Sequence, residues 1–113
     1  MRSYPDVAFN ADPVTGQSIY TDGGFQVVGG TSMAAPQWAG FLALVGAARA
    51  KAGLGDVGYI NPIIYHLSAS QMATAFHDVT SGSNGKYSCN AGWDAVTGFG
   101  SMNASVLLGI LAQ

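Results

Sequence analysis

The 113-residue sequence predicts a single α/β domain arranged around one buried central helix. Three observations carry this. Hydrophobic residues make up 49% of the chain and charged residues only 9%, a composition that belongs to a packed interior and argues against disorder. Short β-prone runs alternate with helical patterns along the chain. No residue from Gly23 to Ala48 is charged, and this stretch contains the longest apolar run, Trp38 to Ala48. A chain of this length holds one compact domain at most.

The elements follow in order. Tyr4 to Phe9 reads as a short strand, closed by the turn formers of Asn10 to Gly16. Gln17 to Tyr20 and Phe25 to Val28 are two β-prone runs around Thr21, Asp22 and two glycines, which is the pattern of a hairpin. From Ser32 to Ala52 the pattern is helical. Pro36 sits in its first turn, Arg49 and Lys51 suit its negative end, and Gly53 supplies the stop. This helix is apolar all round, so it belongs inside a protein rather than on its surface. Asn61 to Ala69 carries Asn followed by Pro at a helix start and predicts a short helix. Thr74 to Thr80 is strand-like, Thr80 to Asn90 is a Gly/Ser/Asn-rich loop, and Asn103 to Ala112 predicts a last helix.

Composition also excludes partners. The net charge is −2, and the four basic residues, Arg2, Arg49, Lys51 and Lys86, form no stripe for a nucleic acid backbone. The longest apolar run falls well short of the roughly 20 residues that cross a bilayer, so no membrane partner is expected. The N-terminus has no signal-peptide profile, so a secretion signal would lie upstream. Cys89 is the single cysteine, makes no internal disulfide and is assigned no function. The acidic residues are Asp6, Asp12, Asp22, Asp56, Asp78 and Asp94, and there is no glutamate.

The sharpest motif is Gly29-Gly30-Thr31-Ser32-Met33-Ala34-Ala35-Pro36. A serine where a glycine-rich strand end turns into a helix gains unpaired backbone N–H groups and positive potential, which favour a developing oxyanion. Small neighbours leave its hydroxyl open to substrate. By residue type alone two roles stay open for Ser32, a helix cap and a nucleophile, and the second requires an activating base.

The wider string "GTSMAAPQWAG" resembles the nucleophile segment of subtilisin-like serine peptidases, in which the serine opens the buried central helix. Subtilisins proper carry His after the proline. Here Gln37 stands there, and Trp38-Ala39-Gly40 is more similar to the sedolisins, the serine-carboxyl peptidase family that includes the kumamolisin-like enzymes. "YPDVAFNADPVTG", "FHDVTSGSNG" and "GWDAVTGFG" resemble sedolisin stretches in the family's order. The resemblance implies the C-terminal portion of a subtilisin-like α/β fold, with residues 1–113 a partial peptidase domain. It implies an endopeptidase, secreted and acid-active, in which a glutamate activates the serine, an aspartate orients that glutamate, and a further aspartate helps hold the oxyanion. Ser32 matches the nucleophile. The partner carboxylates precede this segment in the family, so the upstream part of the domain is an expected partner, and the chain alone is expected to be inactive. His66 and His77 receive no catalytic role.

A second constellation is Asp78-Val79 followed by Asn90 to Asp94. By residue type the two aspartates either cap turns or anchor a hard cation, with the Val79, Asn90 and Gly92 carbonyls as further oxygens. The spacing is not that of an EF-hand. Sedolisins bind one structural calcium in the similar segment, so the resemblance implies Ca2+ held by Asp78, Val79, Asn90, Gly92 and Asp94. Asn90-Ala91-Gly92 replaces the family's frequent Gly-Pro-Gly, a change that leaves backbone ligands in place. The alternative function is a non-catalytic, calcium-stabilised module that pairs with another chain. Peptide or protein is the expected substrate of the whole.

Overall fold

The computed structural model describes residues 3–113; Met1 and Arg2 lie outside the described residues. The elements run β1 (Gln17–Thr21), β2 (Gly24–Val28), α1 (Thr31–Lys51), α2 (Asn61–Tyr65), α3 (Ala69–Ala75), β3 (Phe76–His77), β4 (Ser101–Met102) and α4 (Ala104–Leu111).

β1 and β2 form an antiparallel hairpin in which Tyr20 faces Phe25 and Gln17 faces Val28. Asp22 (φ 50°) and Gly23 (φ 79°) make the two-residue turn, whose left-handed backbone matches strand twist. The hairpin delivers the chain to Gly29 and Gly30, and α1 starts at Thr31. At its other end Gly53 takes φ 73°, and the N–H groups of Gly53 and Leu54 return to the carbonyls of Ala50 and Arg49 at 3.1 and 2.9 Å. Both bonds satisfy carbonyls that the helix leaves unpaired.

The expected helix over Asn61 to Ala69 is two helices. The Ser68 side chain accepts the Gln71 N–H and the Gln71 side chain accepts the Ser68 N–H, a capping box that starts α3 afresh. That box also draws Thr74 and Ala75 into α3, so the expected strand from Thr74 shrinks to Phe76–His77, paired with β4.

The expected strand at Tyr4 to Phe9 has a single bridge, Ala8 to Ser101, in parallel. It is nevertheless secured from several sides. The Phe99 N–H donates to the Asp6 carbonyl and the Ala8 N–H to the Gly100 carbonyl, both at 2.9 Å. The Trp93 indole N–H donates to the Pro5 carbonyl at 2.9 Å and that of Trp38 to the Ala8 carbonyl at 3.3 Å. Gly98 sits so close that a Cβ there would lie 2.2 Å from the Asp6 carbonyl oxygen.

The core gathers Phe41 and Val45 of α1, Ile60, Ile64 of α2, Ala75, Phe76, Met102, and Leu107 and Leu111 of α4. Arg49 ties the ends of α1 and α4 together, donating to the carbonyls of Gly55, Leu111 and Gln113. Only one stripe of α1 is covered. Leu44, on the uncovered side, is 61% exposed. The radius of gyration, 15.5 Å, exceeds the roughly 13 Å of a compact chain this long. The accessible surface is 7067 Å², against roughly 5,800 Å² for a monomer of its mass. An apolar helix with one packed side and surplus surface is the physical signature of a core layer that needs more cover than these elements supply.

Candidate active site

Ser32 is the second residue of α1 and is exposed. Gly30 is the residue that starts the helix, at φ 88° and ψ 164°, a conformation closed to side-chain-bearing residues. Its carbonyl accepts the N–H groups of Met33 and Ala34 at 2.9 and 3.3 Å. Among the described residues the N–H groups of Thr31 and Ser32 have no acceptor, and the Ser32 hydroxyl has no hydrogen-bond partner. The first turn of α1 carries no acidic residue to neutralise its positive end. A hydroxyl, free N–H donors and uncompensated positive potential therefore occupy one open point of the fold, the arrangement that stabilises an alkoxide forming beside it. Among the described residues no carboxylate is bonded to Ser32, and the chain has no glutamate.

The second constellation assembles at the far end of β3. The Asp78 carboxylate, exposed, accepts the Gly92 N–H at 2.7 Å through Oδ2. Asp94 is buried, 4% exposed. Its Oδ1 accepts the N–H groups of Val96 and Thr97, each at 2.8 Å, and its Oδ2 accepts that of Asn90 at 3.2 Å. The Thr97 N–H, together with those of Val96 and Asn90 and the Thr97 hydroxyl, holds the Asp94 carboxyl below the usual range against the opposing effect of burial. Gly92 adopts φ 81°, the conformation that folds the loop back toward Asp78. Asp78 with Gly92, and Asn90 with Asp94, are thus brought together. Val79 follows directly and is 36% exposed. Among the described residues the carbonyls of Val79, Asn90 and Gly92 accept no backbone or side-chain donor. Nowhere among those residues do three His, Cys, Asp or Glu side chains cluster as metal ligands. Two carboxylates supplemented by carbonyls form an all-oxygen set, the chemistry a hard cation takes, and the residues present fit one.

No family model matches the chain. Individual proteins do. It is 44% identical over 106 residues to kumamolisin of Bacillus sp. (strain MN-32), a match covering 88% of this chain and 18% of that protein. Tripeptidyl-peptidase sed1 of Aspergillus fumigatus is 39% identical over 112 residues, covering 95% of this chain and 16% of that one. The solved structure of Pseudomonas sedolisin, a serine-carboxyl proteinase complexed with two molecules of pseudo-iodotyrostatin, superposes with a TM-score of 0.80 at 35% identity, over 96% of this chain and 29% of that chain. The chain belongs to the sedolisin family. Its α/β architecture is a portion of the subtilisin-like fold. It spans less than a fifth of the length of the two curated relatives named here.

In this sedolisin segment Ser32 stands alone at one site, while at the other the backbone N–H groups of Gly92 and Asn90 bond to Asp78 and Asp94 in two separate pairs. Sequence reasoning missed two contributors. Val96 and Thr97 organise Asp94, as the turn-forming pattern Asp-x-x-Thr permits. The turn over residues 10–15 braces the glycines before Ser32, foreshadowed by the same pattern at Asp12 to Thr15. Among the described residues no helix is long and apolar enough to cross a membrane.

Proposed function

We propose that this chain is the C-terminal part of a secreted, acid-active serine-carboxyl endopeptidase, supplying the nucleophile Ser32 and a structural calcium site. One observation carries the reading: an exposed serine at the free N–H end of a helix, in a fold that superposes on sedolisin. In the proposed reaction the Ser32 Oγ attacks the scissile carbonyl carbon and its proton passes to a carboxylate base from the upstream part of the domain. The Ser32 N–H donates to the resulting oxyanion. Collapse expels the amine, which takes up that proton, and leaves an acyl group on Ser32. Water then gives a proton to the same base as it adds to the acyl carbon, and the acid leaves as the acyl–Oγ bond breaks and that proton returns to the Ser32 Oγ.

Asp78 and Asp94, with the carbonyls of Val79, Asn90 and Gly92, would hold calcium. When bound, the ion supplies a positive charge that ties the end of β3 to the loop before Trp93. Asp78 and Asp94 orient that loop by their own hydrogen bonds.

The test joins this chain to the upstream part of its domain and measures peptide hydrolysis at acid pH. The expected result is activity that Ser32→Ala abolishes. The absence of glutamate favours a second reading, a non-catalytic module pairing with another chain. A soluble joined protein without peptidase activity supports that reading instead.

A further inference from the structure

We propose that Asp12 is a positioning residue for the nucleophile: it fixes the turn that holds Gly29 and Gly30, and through them sets where Ser32 stands. The inference rests on the reading of Ser32 given above and deepens it.

Asp12 closes its own turn twice, accepting the Val14 N–H at 3.0 Å through Oδ1 and the Thr15 hydroxyl at 2.8 Å through Oδ2. The Asn10 side chain donates to the Thr15 carbonyl at 2.8 Å across the same turn. This braced turn then meets the glycine loop backbone to backbone. The Gly30 N–H donates to the Ala11 carbonyl at 2.6 Å. A Cβ on Gly29 would lie 2.4 Å from both the Cα and the nitrogen of Pro13 and 2.7 Å from the carbonyl carbon of Asp12. On the hairpin side, a Cβ on Gly16 would lie 2.1 Å from the Val28 carbonyl oxygen. The glycines are therefore seated against the Asp12 turn with no side chain between, three and two positions ahead of Ser32.

Helix α1 begins at the very next residue, so a shift of Gly30 moves the free N–H end and the hydroxyl together. A misplacement of about 1 Å costs on the order of 100-fold in rate, because reacting atoms must meet in near-attack geometry. Asp12 is exposed and covers none of the core. Its removal should therefore act on placement more than on global stability. A merely structural turn cap would give the opposite split, a lower Tm with unchanged turnover per folded molecule.

The experiment uses the peptidase in which this chain is joined to the upstream part of its domain, with Ser32→Ala as the reference. We expect Asp12→Ala to lower kcat by about 10- to 100-fold, with KM changed less than about twofold and Tm close to wild type. Asp12→Asn should restore most of the loss, since a carboxamide accepts from Val14 through oxygen and donates to Thr15 through nitrogen. Hydrogen exchange should quicken at the Gly30 amide in Asp12→Ala and stay unchanged at the Leu107 amide, which bonds to Asn103 within α4's first turn. Should Asp12→Ala fail to fold, Thr15→Val decides: reduced kcat at wild-type Tm supports the inference, and wild-type kcat overturns it. Wild-type kcat in Asp12→Ala, with Ser32→Ala inactive, overturns this inference alone. Full activity in Ser32→Ala overturns the reading of Ser32 and the inference with it.

Discussion

The Asp78 carboxylate accepts the Gly92 backbone N–H at 2.7 Å, joining the residue that follows β3 to a loop fourteen positions later. Asp94, two residues beyond Gly92, is instead enclosed by the N–H groups of Asn90, Val96 and Thr97. The two carboxylates of the proposed cation site thus differ in kind. One reaches across the site, and the other organises the loop from within.

Asp78→Ala consequently separates metal from loop. In excess calcium, at about 100 times its dissociation constant, bound ion adds about 2.7 kcal/mol of stability, and Asp78→Ala should lose most of that increment. In chelator the variant should melt close to wild type. Asp94→Ala should melt lower than wild type in both conditions, because the part-buried N–H groups of Val96 and Thr97 lose their acceptor. Calorimetry with and without chelator checks this; equal wild-type melting temperatures in the two buffers at neutral pH would remove calcium from the account.

Ser32→Ala should be silent for the fold. The side chain is exposed and unbonded among the described residues, so its loss should change stability by less than about 0.5 kcal/mol while abolishing hydrolysis in the joined peptidase. The chain by itself should hydrolyse nothing at any pH, for want of a glutamate base. Robust cleavage by the chain alone, lost in Ser32→Ala, would demand an aspartate base instead.

Acid should destabilise the chelated chain. The Thr97 N–H and its neighbours hold the Asp94 carboxyl below its ordinary value of 3.8. A carboxyl depressed on folding contributes stability that is present above the unfolded value and disappears as pH falls through the folded one. Melting temperature in chelator should therefore hold down to about pH 4 and decline below it. A flat or rising profile between pH 4 and pH 2 would contradict the bonds to Asp94.

The open side of α1 should drive association. Leu44 is 61% exposed on an apolar helix, and the chain shows roughly 1,200 Å² more surface than a compact monomer of its mass. Sedimentation equilibrium should find the isolated chain associating with rising concentration. Leu44→Glu should shift it toward monomer without loss of helix content, and should weaken assembly with the upstream part of the domain. Monomeric wild type at high concentration would show that this face needs no cover.

How much of this was readable beforehand depends on how local the cause is. The hairpin, α1 and α4 follow from neighbours in sequence: Asp22-Gly23 at the turn, Gly30 and Gly53 at the ends of α1, Asn103 before α4. Ser68 and Gln71 are equally local, but the expected helix over Asn61 to Ala69 runs through Ser68 and stops short of Gln71, so it misses the box that separates α3 from α2. Residues 4–9 show the opposite limit. Their strand character is plain, yet the hydrogen bonds of Asp6 and Ala8 go to Phe99 and Gly100, and only one bridge forms. At the sites, Ser32 and the residues Asp78, Asn90, Gly92 and Asp94 stand out by motif, but the bonds that pair Asp78 with Gly92 and Asn90 with Asp94 do not. Nor does the bracing by Asp12 and Thr97, because hydrogen bonds inside a turn leave only the faint trace of an Asp and a Thr three residues apart.

The bonds from Trp93 to Pro5 and from Phe99 to Asp6 also bear on the order in which the chain acquires structure. On a ribosome, Pro5 emerges 88 residues before its partner Trp93 exists. Closing so long a loop carries a large entropic cost before any contact rewards it, and non-local contacts of this kind slow folding. The hairpin and α1 can form while that first segment is still loose. The nucleophile's helix is thus expected to form early, and the threading of residues 5–8 against the 93–100 loop to come late.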